Sequence, residues 1–214
     1  MRKVSEDRPY METCSRKVSQ RVFDVVNGIK GEGHAGVGVA LYLAMPSGEL
    51  SIDPLFKAFL QENGRSPDRA AALNAFRIYV PRVTGGRSCD MCMLPVHSEH
   101  EVEGFEKNRW GIKEPPAEFA SSRTEGIEQG SLDFVIVPGL GFDKMCNRLG
   151  RGKGYYDSLF DRLGQRRREK GMSPAVTIGV CFDEQIVDVV PTESHDYQLD
   201  FVVTPTATFK KGTS

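Results

Sequence analysis

No apolar run in the 214-residue sequence approaches the roughly 20 residues needed to cross a bilayer. The opening MRKVSEDRPYMETC also lacks the apolar segment of a secretory signal. A soluble cytoplasmic protein is expected, with a mitochondrial address left open. Net charge is missing too: 28 Lys and Arg stand against 29 Asp and Glu, leaving a formal charge of −1. That balance supplies no general attraction for nucleic acid or an anionic membrane, so any anion site must be local. Five cysteines, an odd number without dense spacing, do not form a disulfide framework and suit reduced thiols. Internal repeats and low-complexity tracts are absent. What is present is a length sufficient for one sizeable core, and a single domain over 1–214 is expected.

Val18, Val22, Val25, Val26 and Ile29 recur at helical spacing, with Asn27-Gly28 as an end signal. The apolar run from Gly36 to Met45 predicts a buried strand before the turn Pro46-Ser47-Gly48. Asp53-Pro54 opens a second helix striped by Leu55, Phe56, Phe59 and Leu60. Four further core strands are expected: Phe76 to Val80 stopping at Pro81, Asp133 to Val137, Ala175 to Val180, and Phe201 to Val203. The stretch from Pro81 to about Gly130 predicts long irregular structure, and Arg162 to Gly171 a polar excursion. Strands alternating with helices favour an α/β fold whose sheet is covered on both faces. Ligands in such folds lie beyond the carboxyl ends of strands, which directs attention past Val137.

There stands PGLGFDKMCNRLGRGKGYYD, Pro138 to Asp157. Gly150, Gly152 and Gly154 let the backbone approach an oxyanion, while Arg148, Arg151 and Lys153 add positive charge. A helix beginning near Tyr155 would contribute its positive end, with Asp157 in its first turn to hold a cation. This suits a polyphosphate with magnesium. It is not a Walker loop, since Asn147 replaces the required glycine and Gly154 the Ser or Thr. Nor does the spacing fit the dinucleotide fingerprint.

NRLGRGKGYYD resembles the signature of the 5-formyltetrahydrofolate cyclo-ligase family, also called methenyltetrahydrofolate synthetases. LDFVIVPGLGFDK (Leu132 to Lys144) is equally family-like, and weaker resemblance runs from about Ser15 to Thr204 through LYLAMPSGEL, Tyr79 to Arg82 and RWGIKEP. The resemblance implies a three-layer αβα domain with a mostly parallel central sheet, of the CoA-transferase-like type. It also implies an ATP-dependent ligase that cyclises 5-formyltetrahydrofolate to 5,10-methenyltetrahydrofolate with release of ADP and phosphate; a monomer is expected. Carried across residue by residue, Arg148, Leu149, Gly150, Arg151, Gly152, Lys153, Gly154, Tyr155 and Tyr156 would hold ATP. Of these, Arg151, Gly152, Lys153, Gly154 and Tyr155 would also approach the folate, with Arg151, Lys153 and Tyr155 catalytic. Leu43, Glu49 and Trp110 resemble substrate-contacting positions, and Asp157 and Asp196 resemble Mg2+ ligands. The family begins with a basic helical segment that reaches ATP. Here 1–14 resembles a shortened version, with Arg2-Lys3-Val4-Ser5 as its remnant and Arg8 as a further cation. A folate- or nucleotide-binding relative without turnover is the alternative.

Cys89-x-x-Cys92 followed by His97 and His100 is too tight for a zinc finger, and ordinary loop and strand residues are the better reading. His195, beside Asp196, is left without a role. Arg166, Arg167 and Arg168 lack aromatic interleaving and are expected on a solvated face. A weaker expectation is that this tract attracts the polyglutamate tail of cellular folates.

Overall fold

The computed structural model describes residues 7–30, 36–46, 48–64, 76–193 and 196–213. Its centre is a 7-stranded sheet in the order β3-β2-β1-β4-β7-β8-β9. The strands are β1 (Val37–Ala40), β2 (Phe76–Val83), β3 (Met91–Val96), β4 (Phe134–Val137), β7 (Val176–Val180), β8 (Phe201–Val203) and β9 (Thr208–Lys210). The inner pairings are parallel, and an antiparallel strand, β3 or β9, closes each edge. A separate short ribbon pairs β5 (Gly141–Phe142) with β6 (Arg148–Leu149).

Adjacent strand residues point to opposite faces, which divides the core in two. Val39, Ile78, Ile136 and Ile178 pack under α1 (Arg8–Ile29) and α2 (Asp53–Gly64) with Val22, Val26 and Phe59. Ala40, Tyr79, Val135 and Val137 pack with Leu159, Phe160 and Leu163 of α6 (Tyr155–Glu169) and Ile127 of α5 (Gly126–Gln129). The expected α/β sheet covered on both faces is thus present, and its strands read as continuous apolar runs for that reason.

Several expectations need correction. The early strand ends at Ala40, where its pairing with both β2 and β4 stops; Leu41 keeps one bond to β2 and Tyr42 to Met45 leave the sheet. β2 does not stop at Pro81 but runs to Val83. Tyr79 accepts from the Leu41 N–H on the β1 side, and Pro81 faces that same side beyond the paired register. The proline's missing N–H therefore breaks no ladder bond. The supposed irregular stretch contains β3, α3 (Glu99–Glu103), α4 (Ala117–Ser122) and α5. The polar excursion after Arg162 is the second half of α6. α1 starts earlier than its valine stripe, where Asp7 accepts from the Tyr10 N–H and caps it.

Arg162 ties α6 to its neighbours: its guanidinium donates to the carbonyls of Cys89 (3.1 Å) and Met91 (2.8 Å) and to Glu128 (3.0 Å). Arg167 is not on a solvated face. It is 5 % exposed and donates to the carbonyls of Ser173, Gly130 and Leu132 and to Asp133. Arg166 is engaged with Glu128 and Glu169, and only Arg168 of the triplet is exposed. The tract lies at the end of α6 opposite Tyr155 and lines no part of the site cavity.

Candidate active site

Beyond the carboxyl ends of β1 and β4 lies a cavity of about 480 Å³. β1 is followed in the chain by β2 on one side, and β4 lies on the other, so the cavity occupies a crevice where strand order reverses. Each wall comes from a segment that has just left the sheet. Leu43, Met45 and Glu49 follow β1, Pro138 and Gly139 follow β4, and Arg148 to Asp157 form the loop into α6. Leu43, Glu49, Trp110, Arg148 to Asp157 and Asp196, to which the sequence assigned ATP, folate or metal roles, all line this one cavity.

The glycines differ in what they contribute. Gly152 and Gly154 have φ of +75° and +65°, conformations that side chains rarely adopt. Gly150 is crowded instead: a Cβ there would lie 2.9 Å from the Arg148 guanidinium. Gly154 is the N-cap of α6 and offers no side chain to its first N–H groups, which leaves the positive helix end facing the cavity.

Two cations in the cavity are paired with carboxylates. Arg148, its side chain 8 % exposed, lies 3.3 Å from Asp157 and 5.3 Å from the Tyr156 ring. Arg151, exposed, reaches to 3.8 Å from Glu49. Burial raises the Glu49 carboxyl above the ordinary range, against the opposing pull of the Met45 N–H (2.8 Å) and Arg151. Lys153 stands exposed on the loop. Tyr155 donates from its hydroxyl to the Gly85 carbonyl at 3.3 Å, which pins the β2–β3 turn against the loop. Trp110 sits on the rim, 46 % exposed, with Arg109 4.1 Å from its ring centroid.

Asp157 and Asp196 face the same cavity, and Asp196 accepts from the Glu193 N–H at 2.7 Å. Among the described residues no group of three or more His, Cys, Asp or Glu could hold a metal alone. Cys92 lies on β3, its thiol donating to the Arg82 carbonyl at 3.6 Å, while Cys89 is in the preceding turn. His195 and Arg2-Lys3-Val4-Ser5 lie outside the described residues. Arg8 opens α1, exposed, and no residue of α1 lines the cavity.

The sequence reading missed several wall residues. Tyr42 is buried, donates to the Leu50 carbonyl at 2.6 Å and forms part of the floor. Glu114 lines the cavity and accepts from the Val83 N–H at 2.9 Å, which holds the Asn108–Ile112 turn to β2. Glu114 stood in the quoted RWGIKEP segment, so its place in the chain was available though its contact was not. Met91 carried no signal, because it comes from a strand the sequence did not reveal.

Known proteins share this arrangement of chain and fold. The 5-formyltetrahydrofolate cyclo-ligase family profile matches residues 2–205. A 5-formyltetrahydrofolate cyclo-ligase of Mus musculus is 38% identical over 125 residues, 58% of each chain. A probable 5-formyltetrahydrofolate cyclo-ligase of Caenorhabditis elegans is 30% identical over 207 residues, 93% of this chain and 91% of the relative. The solved 5,10-methenyltetrahydrofolate synthetase of Aquifex aeolicus superposes with a TM-score of 0.61 at 23% identity, covering 99% of this chain and 87% of that one. The Mycoplasma pneumoniae synthetase gives 0.58 at 19%, covering 94% and 90%. By the match along almost its whole length, this chain belongs to the 5-formyltetrahydrofolate cyclo-ligase family.

Proposed function

We propose that the protein catalyses the ATP-dependent closure of 5-formyltetrahydrofolate to 5,10-methenyltetrahydrofolate, releasing ADP and phosphate. The observation that carries this reading is the convergence, on one cavity, of a cationic glycine loop, an uncapped helix terminus and a buried carboxylate. A phosphate fits the first two, and a largely apolar heterocycle with N–H donors fits the wall around Glu49 and Trp110.

The formyl oxygen is a poor leaving group. Its attack on the γ-phosphorus forms an oxygen–phosphorus bond and releases ADP; N10 of the same folate then attacks the activated carbon, phosphate leaves with the oxygen, and N10 loses its proton. Lys153 and Arg151 neutralise the transferring phosphoryl group, and the N–H groups at the start of α6 hold its oxygens. Glu49 orients the folate so that N10 is near the carbon, which makes ring closure intramolecular. The donor set at Asp157 and Asp196 is all oxygen and incomplete without phosphate, which matches the habit of magnesium. Magnesium bound there would offset charge on the phosphate oxygens. No helix among the described residues is long and apolar enough to cross a membrane. The free thiols of Cys14, Cys146 and Cys181 suit a reducing compartment, and the cytoplasm is the proposed location.

Purified protein given 5-formyltetrahydrofolate should develop the near-ultraviolet absorbance of the methenyl product only with both ATP and magnesium. Tight binding of folate and nucleotide without product would replace the enzyme by a binding relative that has lost turnover. Product formed without ATP would remove the phosphoryl step.

A further inference from the structure

Asp143 is 1 % exposed and does not line the cavity, yet its carboxylate stands where the two charged walls are joined. One oxygen, Oδ1, accepts from the N–H groups of Met145 and Asn147, both at 3.0 Å. The other, Oδ2, accepts from the Asn147 side-chain amide at 2.9 Å and from the Val190 N–H at 3.0 Å. The first set closes the turn from Asp143 to Asn147, in which Cys146 is held at φ +68°. The bond to Val190 fastens that turn to the segment leading to Pro191 and Asp196. Two more bonds reach the same turn from beyond Asp196: the Leu199 N–H donates to the Cys146 carbonyl (3.0 Å) and the Gln198 amide to the Met145 carbonyl (2.7 Å). Asn147 in turn runs directly into Arg148, the partner of Asp157.

We propose that Asp143 is a positioning residue for the phosphate and metal half of the site, fixing the wall that carries Asp196 against the wall that carries Arg148 and Asp157. The inference rests on the proposed cyclo-ligase reading for what those walls hold. All four named donors to Asp143 are neutral, so its charge is held here by hydrogen bonds from N–H groups. Burial opposes its ionisation, but the Val190 N–H and the Asn147 and Met145 donors outweigh that and hold the carboxyl below its usual range. An asparagine could serve the Oδ1 side. On the Oδ2 side its amide would face the Val190 N–H and the Asn147 amide, two donors with no acceptor. The substitution therefore loosens the junction between walls specifically. The folate side hangs on other bonds, those of Glu49 to Met45 and of Glu114 to Val83.

Asp133 supplies a control. It accepts from the Gly38 N–H (2.8 Å) and from Arg167 (3.1 Å) just ahead of β4, at the strand end opposite the cavity. The experiment compares wild type, Asp143→Asn and Asp133→Asn for melting temperature, for Mg–ADP binding by calorimetry, and for 5-formyltetrahydrofolate binding by fluorescence of the single tryptophan, Trp110. Asp143→Asn should raise the Mg–ADP Kd by about tenfold or more while the folate Kd stays within about twofold. Asp133→Asn should lower the melting temperature with both binding constants unchanged. A milder variant, Asn147→Ala, removes one donor without creating a repulsive contact and should weaken Mg–ADP in the same direction by less, even if Asp143→Asn does not fold. Equal loss of folate and nucleotide binding in Asp143→Asn, or an unchanged Mg–ADP Kd in Asn147→Ala, overturns the proposal. Wild type that binds Mg–ADP and folate without turnover would instead defeat the enzymatic reading and leave the positioning test intact.

Discussion

Arg148 and Asp157 pair with each other at 3.3 Å, so a cation assigned to phosphate and a carboxylate assigned to metal are mutual partners. If Mg–ATP binds as proposed, its loading would be an exchange in which both charges give up one partner for another. Asp157→Asn should lose most of its magnesium response and bind ADP more tightly than wild type when metal is chelated, because Arg148 is released. Calorimetric titration with ADP in a chelator checks this. Equal metal-free affinities would show that the pair does not compete with the nucleotide.

Lys153→Ala should lower kcat by about a hundredfold if this exposed loop cation faces the phosphoryl group as proposed, because such a charge acts chiefly in the transition state. Melting should be unchanged. Steady-state kinetics with both substrates saturating separates this from a binding effect, and a loss confined to the ATP KM would place Lys153 in ground-state binding only.

Glu49 gives a pH dependence with a definite sign. Its carboxyl is raised above the ordinary range by burial, so its contribution to stability is fully present below the unfolded pKa and is lost as pH rises through the raised value. Glu49→Gln should therefore melt above wild type at about pH 8, with the gap narrowing towards about pH 4. Removing the opposing cation by Arg151→Ala should raise the Glu49 carboxyl further and move that window to higher pH. Parallel melting curves for wild type and Glu49→Gln across the range would remove Glu49 as the titrating group.

Arg167→Ala should destabilise the protein by about 3 kcal/mol or more, because it takes the cation from Asp133 and leaves the buried carbonyls of Gly130 and Leu132 without their donor. Arg168→Ala, at the exposed neighbour, should stay within about 0.5 kcal/mol. Chemical denaturation of both variants measures the contrast, and equal stability would return Arg167 to the solvated face.

The contrast within the RRR triplet shows what kind of information the chain carried. Apolar runs such as Phe134–Val137 were legible because a strand buried on both faces leaves no polar position to confuse it. The loop from Arg148 to Asp157 was legible because close backbone approach demands glycine and phosphate demands cations. Arg167 was not, since three adjacent arginines have the same composition whether they meet water or carbonyls. β3 was hidden by Pro95, which lowers its strand character, and it forms by antiparallel pairing along Ile78 to Val83. Glu49 could be placed in the site by resemblance, but its partnership with Arg151 joins residues a hundred positions apart and is a property of the fold.

α6 meets the cavity at Tyr155, and along its length it is fastened through Arg162 to β3 and α5 and through Arg167 to the carbonyls around β4. A helix so anchored behaves as a fixed post. Recoil from a ligand pressing on its first turn passes sideways into the sheet, and the helix has no freedom to slide along its own axis. Trp110, by contrast, stands exposed on a turn braced by its own bonds to Asn108 and tied to β2 through the nearby Glu114.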